Sequence, residues 1–140
     1  MYWDASALVT LVAGAGERER LEELYGDGGG VWIWWVTPVE ITSSIARRER
    51  SGELTAEAAS HACAVLEKMA ATWHQVLPSD ALRESAKRLL RIHPLRAADG
   101  LQLASALSLS GPERAPVDFV CRDARLSAAA AREGLRVLEP

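Results

Sequence analysis

Val31-Trp32-Ile33-Trp34-Trp35-Val36 is an unbroken run of β-branched and aromatic residues, set between Gly28-Gly29-Gly30 and Thr37-Pro38. No other stretch constrains the fold as strongly. The run is far short of the roughly 18 apolar residues that a membrane crossing needs. Its composition is that of a strand covered on both faces, the situation of an inner strand in a parallel sheet with helices above and below. The tryptophans of this strand, Trp34 and Trp35 included, are therefore expected in the core. A contact with a second copy or a partner protein is the competing use, since aromatics are favoured at interface centres.

The surrounding pattern supplies the helices. Tyr2 and Trp3 read as a short strand ending at Asp4, with a helix starting within Ala7 to Val12. Gly14 and Gly16 interrupt, and Glu17 to Tyr25 places Leu21, Leu24 and Tyr25 on one face of a short amphipathic helix. Thr37-Pro38-Val39-Glu40 has the spacing of a capping box with proline at the first helical position, which predicts a helix to about Ser51. Thr55 caps an alanine-rich helix to about Thr72, and Trp73 to Leu77 reads as a second inner strand. Asp80 to Ile92 and Arg96 to Leu109 are helical, separated by the break at His93-Pro94. Val117 to Cys121 is a strand, a helix runs from Asp123 or Ala124 to Glu133, Gly134 signals its C-cap, and Arg136 to Leu138 is a last strand.

Strands alternating with helices at these spacings call for an α/β three-layer sandwich, a parallel sheet of four or five strands with helices on both faces. At 140 residues the chain fits one domain spanning residues 1–140. Ligand crevices in such sheets open beyond the carboxyl ends of the strands. The N-terminus carries no signal-peptide pattern and Cys63 and Cys121 lack CxxC spacing, so a soluble, cytoplasmic protein with reduced core cysteines is expected, without membrane contact. The formal net charge of −3 excludes nucleic-acid binding through bulk positive charge, so any RNA contact must be local.

Four carboxylates stand at element starts or strand ends: Asp4, Glu40, Asp99 and Asp123. Each has an ordinary use. Asp4 and Asp123 suit helix N-caps, Glu40 suits the third position of the Thr37 box, and Asp99 suits an early-turn cap. Asp99 is nonetheless set among apolar and small residues in Leu95-Arg96-Ala97-Ala98-Asp99-Gly100-Leu101-Gln102-Leu103-Ala104, where an unpaired charge is expensive. Converging acids repel one another, and an all-oxygen set without His or Cys suits Mg²⁺ or Mn²⁺ and phosphate chemistry. HExxH, paired CxxC, Walker and GxSxG patterns are absent, which removes zinc hydrolases, P-loop NTPases and serine hydrolases. A receiver-like or phosphatase-like domain fits poorly, because Asp4-Ala5-Ser6 lacks a second Asp and the strand WHQVL ends without a phospho-acceptor.

Four segments together resemble the PIN-domain family, and more narrowly the VapC-type toxins of bacterial toxin–antitoxin pairs. They are Tyr2 to Val9, Thr37-Pro38-Val39-Glu40 through Arg47-Arg48, Arg96 to Ala104, and Phe119-Val120-Cys121-Arg122-Asp123-Ala124-Arg125-Leu126. The resemblance implies endoribonuclease activity dependent on Mg²⁺ or Mn²⁺ and inhibition by a cognate antitoxin, so RNA and that antitoxin are expected partners; a homodimer is also expected, with the Trp-rich strand and the early amphipathic helix as its candidate contacts. It places Asp4, Glu40, Asp99 and Asp123 as the family acids, catalytic and metal-holding. Ser6 takes the place of a supporting hydroxyl, with helix N-capping as its alternative. Two residues depart from the pattern. Cys121 stands where a Thr or Ser is common, and Gly100 stands where Ala is common, weakening its helix by up to about 1 kcal/mol.

Arg96 and Arg122 adjoin proposed ligands and are the candidate RNA contacts, with Arg47, Arg48 and Arg125 behind them. His61, His74 and His93 have no ligand spacing and are assigned no chemistry. The functional alternative is a non-catalytic module of the same fold that only binds RNA or protein.

Overall fold

The computed structural model describes residues 1–14, 18–27, 29–111 and 116–138. Among the described residues five strands form one sheet, in the edge-to-edge order His74–Val76, Trp32–Trp34, Tyr2–Trp3, Asp118–Val120, Arg136–Leu138, and every neighbouring pair is parallel. In chain order the elements are β1 (Tyr2–Trp3), α1 (Ala5–Ala13), α2 (Glu19–Gly26), β2 (Trp32–Trp34), α3 (Thr37–Arg50) and α4 (Ala56–Ala70). They continue with β3 (His74–Val76), α5 (Asp80–Ile92), α6 (Ala97–Ser108), β4 (Asp118–Val120), α7 (Ala124–Arg132) and β5 (Arg136–Leu138). The expected signals at Gly16, Glu17, Gly28 and Pro112 lie outside the described residues.

Alternation along three central strands builds two cores at once. Trp3, Ile33 and Val120 point to the side covered by α1, α2, α3 and α4, where Leu8, Leu21, Ile41 and Leu66 are buried. Tyr2, Trp34 and Phe119 point to the other side, against Leu82, Leu89, Leu103 and Leu126 of α5, α6 and α7. Strands apolar on both faces are what a parallel sheet between helix layers demands. Tyr2 stacks on Phe119 with ring centroids 5.5 Å apart, which locks β1 to β4 beneath the carboxyl edge. Among the described residues no helix is long and apolar enough to cross a membrane.

Three expectations change. The strand at Val31 to Val36 is shorter, Trp32–Trp34, because the chain turns at Trp35 and Val36 to enter α3. Trp35 is consequently not core: it is 52% exposed, as is fitting for a side chain past the last strand residue. The segment Trp73 to Leu77 is the edge strand β3, not an inner one, and His74 and Gln75 are both exposed, which only an edge tolerates.

Gly100 has a packing reason. A Cβ there would lie 3.0 Å from Cγ and Cδ2 of Leu90, so α6 approaches α5 more closely than alanine allows. The helix-propensity gain of Gly100→Ala, about 1 kcal/mol, is opposed by an overpacking cost of roughly 1–3 kcal/mol. We expect Gly100→Ala to destabilise by about 1 kcal/mol in denaturant titration, and to become neutral or stabilising in a Leu90→Ala background. Equal effects in both backgrounds would refute the steric account.

Candidate active site

Asp4 is delivered by the end of β1. Its N–H donates to Val120 O (3.0 Å), extending the β1–β4 ladder, and its side chain caps α1 by accepting from Ser6 N at 2.9 Å. The cap expected of Asp4 therefore exists, yet the residue is only 5% exposed. Burial pushes its carboxyl above the ordinary value; bonds from Ser6 and Ala5 pull it back, and the charge of Asp99 raises it further.

Glu40 projects from the first turn of α3. Burial is the largest cause lifting it from 4.5 to about 7; a hydrogen bond from Gln102 opposes this, while Asp4 and Asp99 both push upward. Asp99 lies in the first turn of α6 and accepts from Arg96 N (3.0 Å) through Oδ2. Three acids on three elements thus feel one another's charge. The predicted capping box around Glu40 is absent: α3 has no side-chain N-cap, and Thr37 is fully buried with Oγ1 accepting from Gln102 Nε2 at 3.0 Å. Glu40 is left to face the other acids.

Sequence reasoning missed Gln102 and Tyr2. Gln102 is 1% exposed, one turn beyond Asp99, and its Nε2 donates to both Thr37 Oγ1 and Glu40 Oε2. Its Oε1 accepts from the Tyr2 hydroxyl at 2.7 Å. Burial holds the Tyr2 phenol protonated, and Asp4 and Glu40 add to that push. A chain of Tyr2, Gln102 and Glu40 therefore fixes the Glu40 carboxylate from beneath. The available signal was an amide inside the apolar stripe of α6, where an unpartnered polar group is not tolerated.

Asp123 reaches the site differently. Its Oδ1 accepts from Arg125 N (2.9 Å) and Leu126 N (3.0 Å), capping α7. Cys121 connects it to Asp4: Sγ accepts from Asp123 N (3.3 Å) and lies 3.7 Å from Asp4 Oδ2. Burial, with Asp4 adding to it, pushes this thiol up to about 12, so it stays a neutral donor where a hydroxyl was expected. Ser6 is not a cap, since Asp4 holds that position. Instead Ser6 Oγ accepts from Arg122 N at 2.9 Å, tying α1 to the loop after β4.

The arginines separate by partner. Arg48 pairs with Glu53 (3.4 Å), and Arg122 Nη1 donates to Thr10 Oγ1 (3.2 Å). Arg96 and Arg125 are exposed at the starts of α6 and α7. Arg47 lines a cleft of about 540 Å³ between α1 and α3 that also contains Ser6 and Glu40. His93 is buried at the end of α5 with Nε2 2.8 Å from Glu133 Oε1.

Asp4 accepts from Ser6 N and Asp99 from Arg96 N through Oδ2, and Glu40 accepts from Gln102 Nε2 through Oε2. The donor set is hard oxygen, which suits a divalent cation such as Mg²⁺ or Mn²⁺. Among the described residues no three His, Cys, Asp or Glu side chains stand as a preformed ligand cage. The acids form an electrostatic cluster that a cation would draw together.

A parallel sheet of this order with acids at its carboxyl edge defines an α/β class with an acidic strand-end site. The PIN domain model matches residues 1–136, so the chain belongs to the PIN domain family. Among solved structures, one described as a toxin-antitoxin complex from Klebsiella pneumoniae is similar, with a TM-score of 0.69 and 17% identity over 99% of this chain and 95% of that one. At that identity the likeness concerns the fold. A search of curated proteins gave no match.

Proposed function

We propose that this chain is a metal-dependent endoribonuclease that hydrolyses RNA phosphodiester bonds, acting in the cytoplasm as the toxin of a VapC-type toxin–antitoxin pair. The observation that carries this is the convergence of Asp4, Glu40 and Asp99: burial, the largest cause, lifts Glu40 to about 7 and raises Asp4, and the charges of the neighbouring acids push both further. Caps alone would be served as well by neutral amides, and three acids held against one another gain their use when a cation binds.

Mg²⁺ or Mn²⁺ would be held by Asp4, Glu40 and Asp99, with Asp123 joined to the group through Cys121. Bound there, the ion would supply Lewis-acid chemistry, lowering the pKa of water and offsetting charge on the phosphate. The chain's own residues set the geometry. Tyr2 orients Gln102, Gln102 holds one Glu40 oxygen, and Ser6 and Cys121 fix the loop that carries Asp123. The partner expectation is supported by the fold neighbour, which was solved in a toxin-antitoxin complex.

The test is cleavage of single-stranded and structured RNAs by purified protein in Mn²⁺ or Mg²⁺, against EDTA and an Asp99→Asn variant that keeps its cap to Arg96 N. Cleavage is expected with metal only, falling by at least about 100-fold in the variant. Undiminished cleavage by a folded Asp99→Asn protein would reject the site, and binding without cleavage would favour the non-catalytic module.

A further inference from the structure

We infer that Ser43, Ser44 and Arg47 form a phosphate-binding subsite that grips the RNA backbone beside the scissile bond; this rests on the ribonuclease reading above. Residues 40, 43, 44 and 47 recur at helical spacing, so they make one stripe along α3. The stripe runs from the acid Glu40 through two hydroxyls to a guanidinium about 10.5 Å along the helix axis, at 1.5 Å rise per residue. All four line the same cleft of about 540 Å³, whose opposite wall on α1 includes Ser6 and Val9.

Arg47 is the arginine that lines this cleft. Arg48 is committed to Glu53 and Arg122 to Thr10. Arg47 is exposed, and its guanidinium donates among the described residues only to Ser44 Oγ, at 3.3 Å. Among the described residues no carboxylate neutralises it, so a fork of donors stays available for an anion. Ser43 and Ser44 add hydroxyl donors of the sort that accompany phosphate contacts. Glu40 lines the cleft, so a strand lying in it passes this acid without leaving the groove. With a formal net charge of −3, the chain depends on such local grip to hold RNA at all.

The experiment measures binding of a fluorescein-labelled single-stranded RNA in Mg²⁺ as a function of KCl, in the Asp99→Asn background so that the strand stays intact, and steady-state cleavage in the wild-type background. Arg47→Ala should weaken binding about tenfold, the scale of one charge-assisted hydrogen bond. It should also flatten the slope of log K against log salt by about 0.7, one phosphate contact on a single strand. Arg47→Lys should restore the slope, and in cleavage KM should rise with kcat nearly unchanged. Wild-type cleavage with unaltered slope and KM in Arg47→Ala would overturn the subsite and leave the nuclease reading intact. A fall in kcat at constant KM would overturn it in favour of a role in the reaction itself. Failure of the wild type to bind or cut any single-stranded RNA would overturn both.

Discussion

Asp4→Asn is expected to stabilise the metal-free protein while removing its ribonuclease activity. Asparagine is as good an N-cap as aspartate, so acceptance from Ser6 N is retained. What disappears is a charge that is 5% exposed and repelled by Asp99. A raised carboxyl pKa in the folded state means that the ionised form opposes folding at neutral pH, and neutralising it removes that opposition. We expect a gain on the order of 1–2 kcal/mol, seen as a melting temperature several degrees higher in EDTA. Cleavage in Mn²⁺ should fall by at least about 100-fold. A companion Asp4→Ala variant should lose the cap as well, giving back about 1 kcal/mol of the gain. The opposite signs of stability and activity mark a residue kept for function. If Asp4→Asn leaves melting temperature and cleavage both unchanged, Asp4 is a helix cap and the site assignment falls.

The layered fold could be anticipated because it rests on repetition. Alternating elements, the apolar run around Ile33 and the helix start at Thr55 each follow from local physics, and α5 begins and ends where the pattern predicts, at Asp80 and Ile92. The departures have one cause, competition between a local signal and a tertiary partner. Thr37 carried a capping signature, but burial beside Gln102 turned its hydroxyl inward and freed Glu40. Trp35 has strand composition, but sits past the end of β2 and donates its N–H to Val76 O. Gly100 looked like a weakness in α6 until the approach of Leu90 accounted for it. The same limit applies to the site. All four acids could be named as candidates one by one, whereas the difference between Asp99, whose charge reaches Asp4 and Glu40, and Asp123, spending Oδ1 on α7, depends on contacts between elements far apart in the chain. Gln102 is the clearest such case, since its role exists only once Tyr2, Thr37 and Glu40 have been brought around it.

Glu40 should make both stability and metal affinity depend on pH near neutrality, with opposite signs. Its folded value of about 7 lies above the ordinary 4.5, so between these limits the native state holds more proton than the unfolded chain. The contribution to stability is therefore fully present below about 4.5 and is lost as pH rises through about 7, the reverse of a salt-bridged carboxylate. The side chain is only half-buried, and solvent screening reduces the effect to the order of 1–2 kcal/mol. In EDTA the melting temperature should fall from about pH 5.5 to about pH 8, and Glu40→Gln should flatten that fall while keeping an oxygen acceptor for Gln102. A divalent ion competes with the proton, so its binding strengthens over the same interval. Mn²⁺ should raise the melting temperature markedly at about pH 8 and little at about pH 5.5, and in Glu40→Gln the increment at about pH 8 should shrink. Since a ligand stabilises only in proportion to its occupancy of the native state, these increments report the cation site without any RNA present. A Mn²⁺ increment that is equal at both pH values and unchanged in Glu40→Gln would show that the ion binds elsewhere, and would separate the metal from the acid cluster however active the enzyme proved to be.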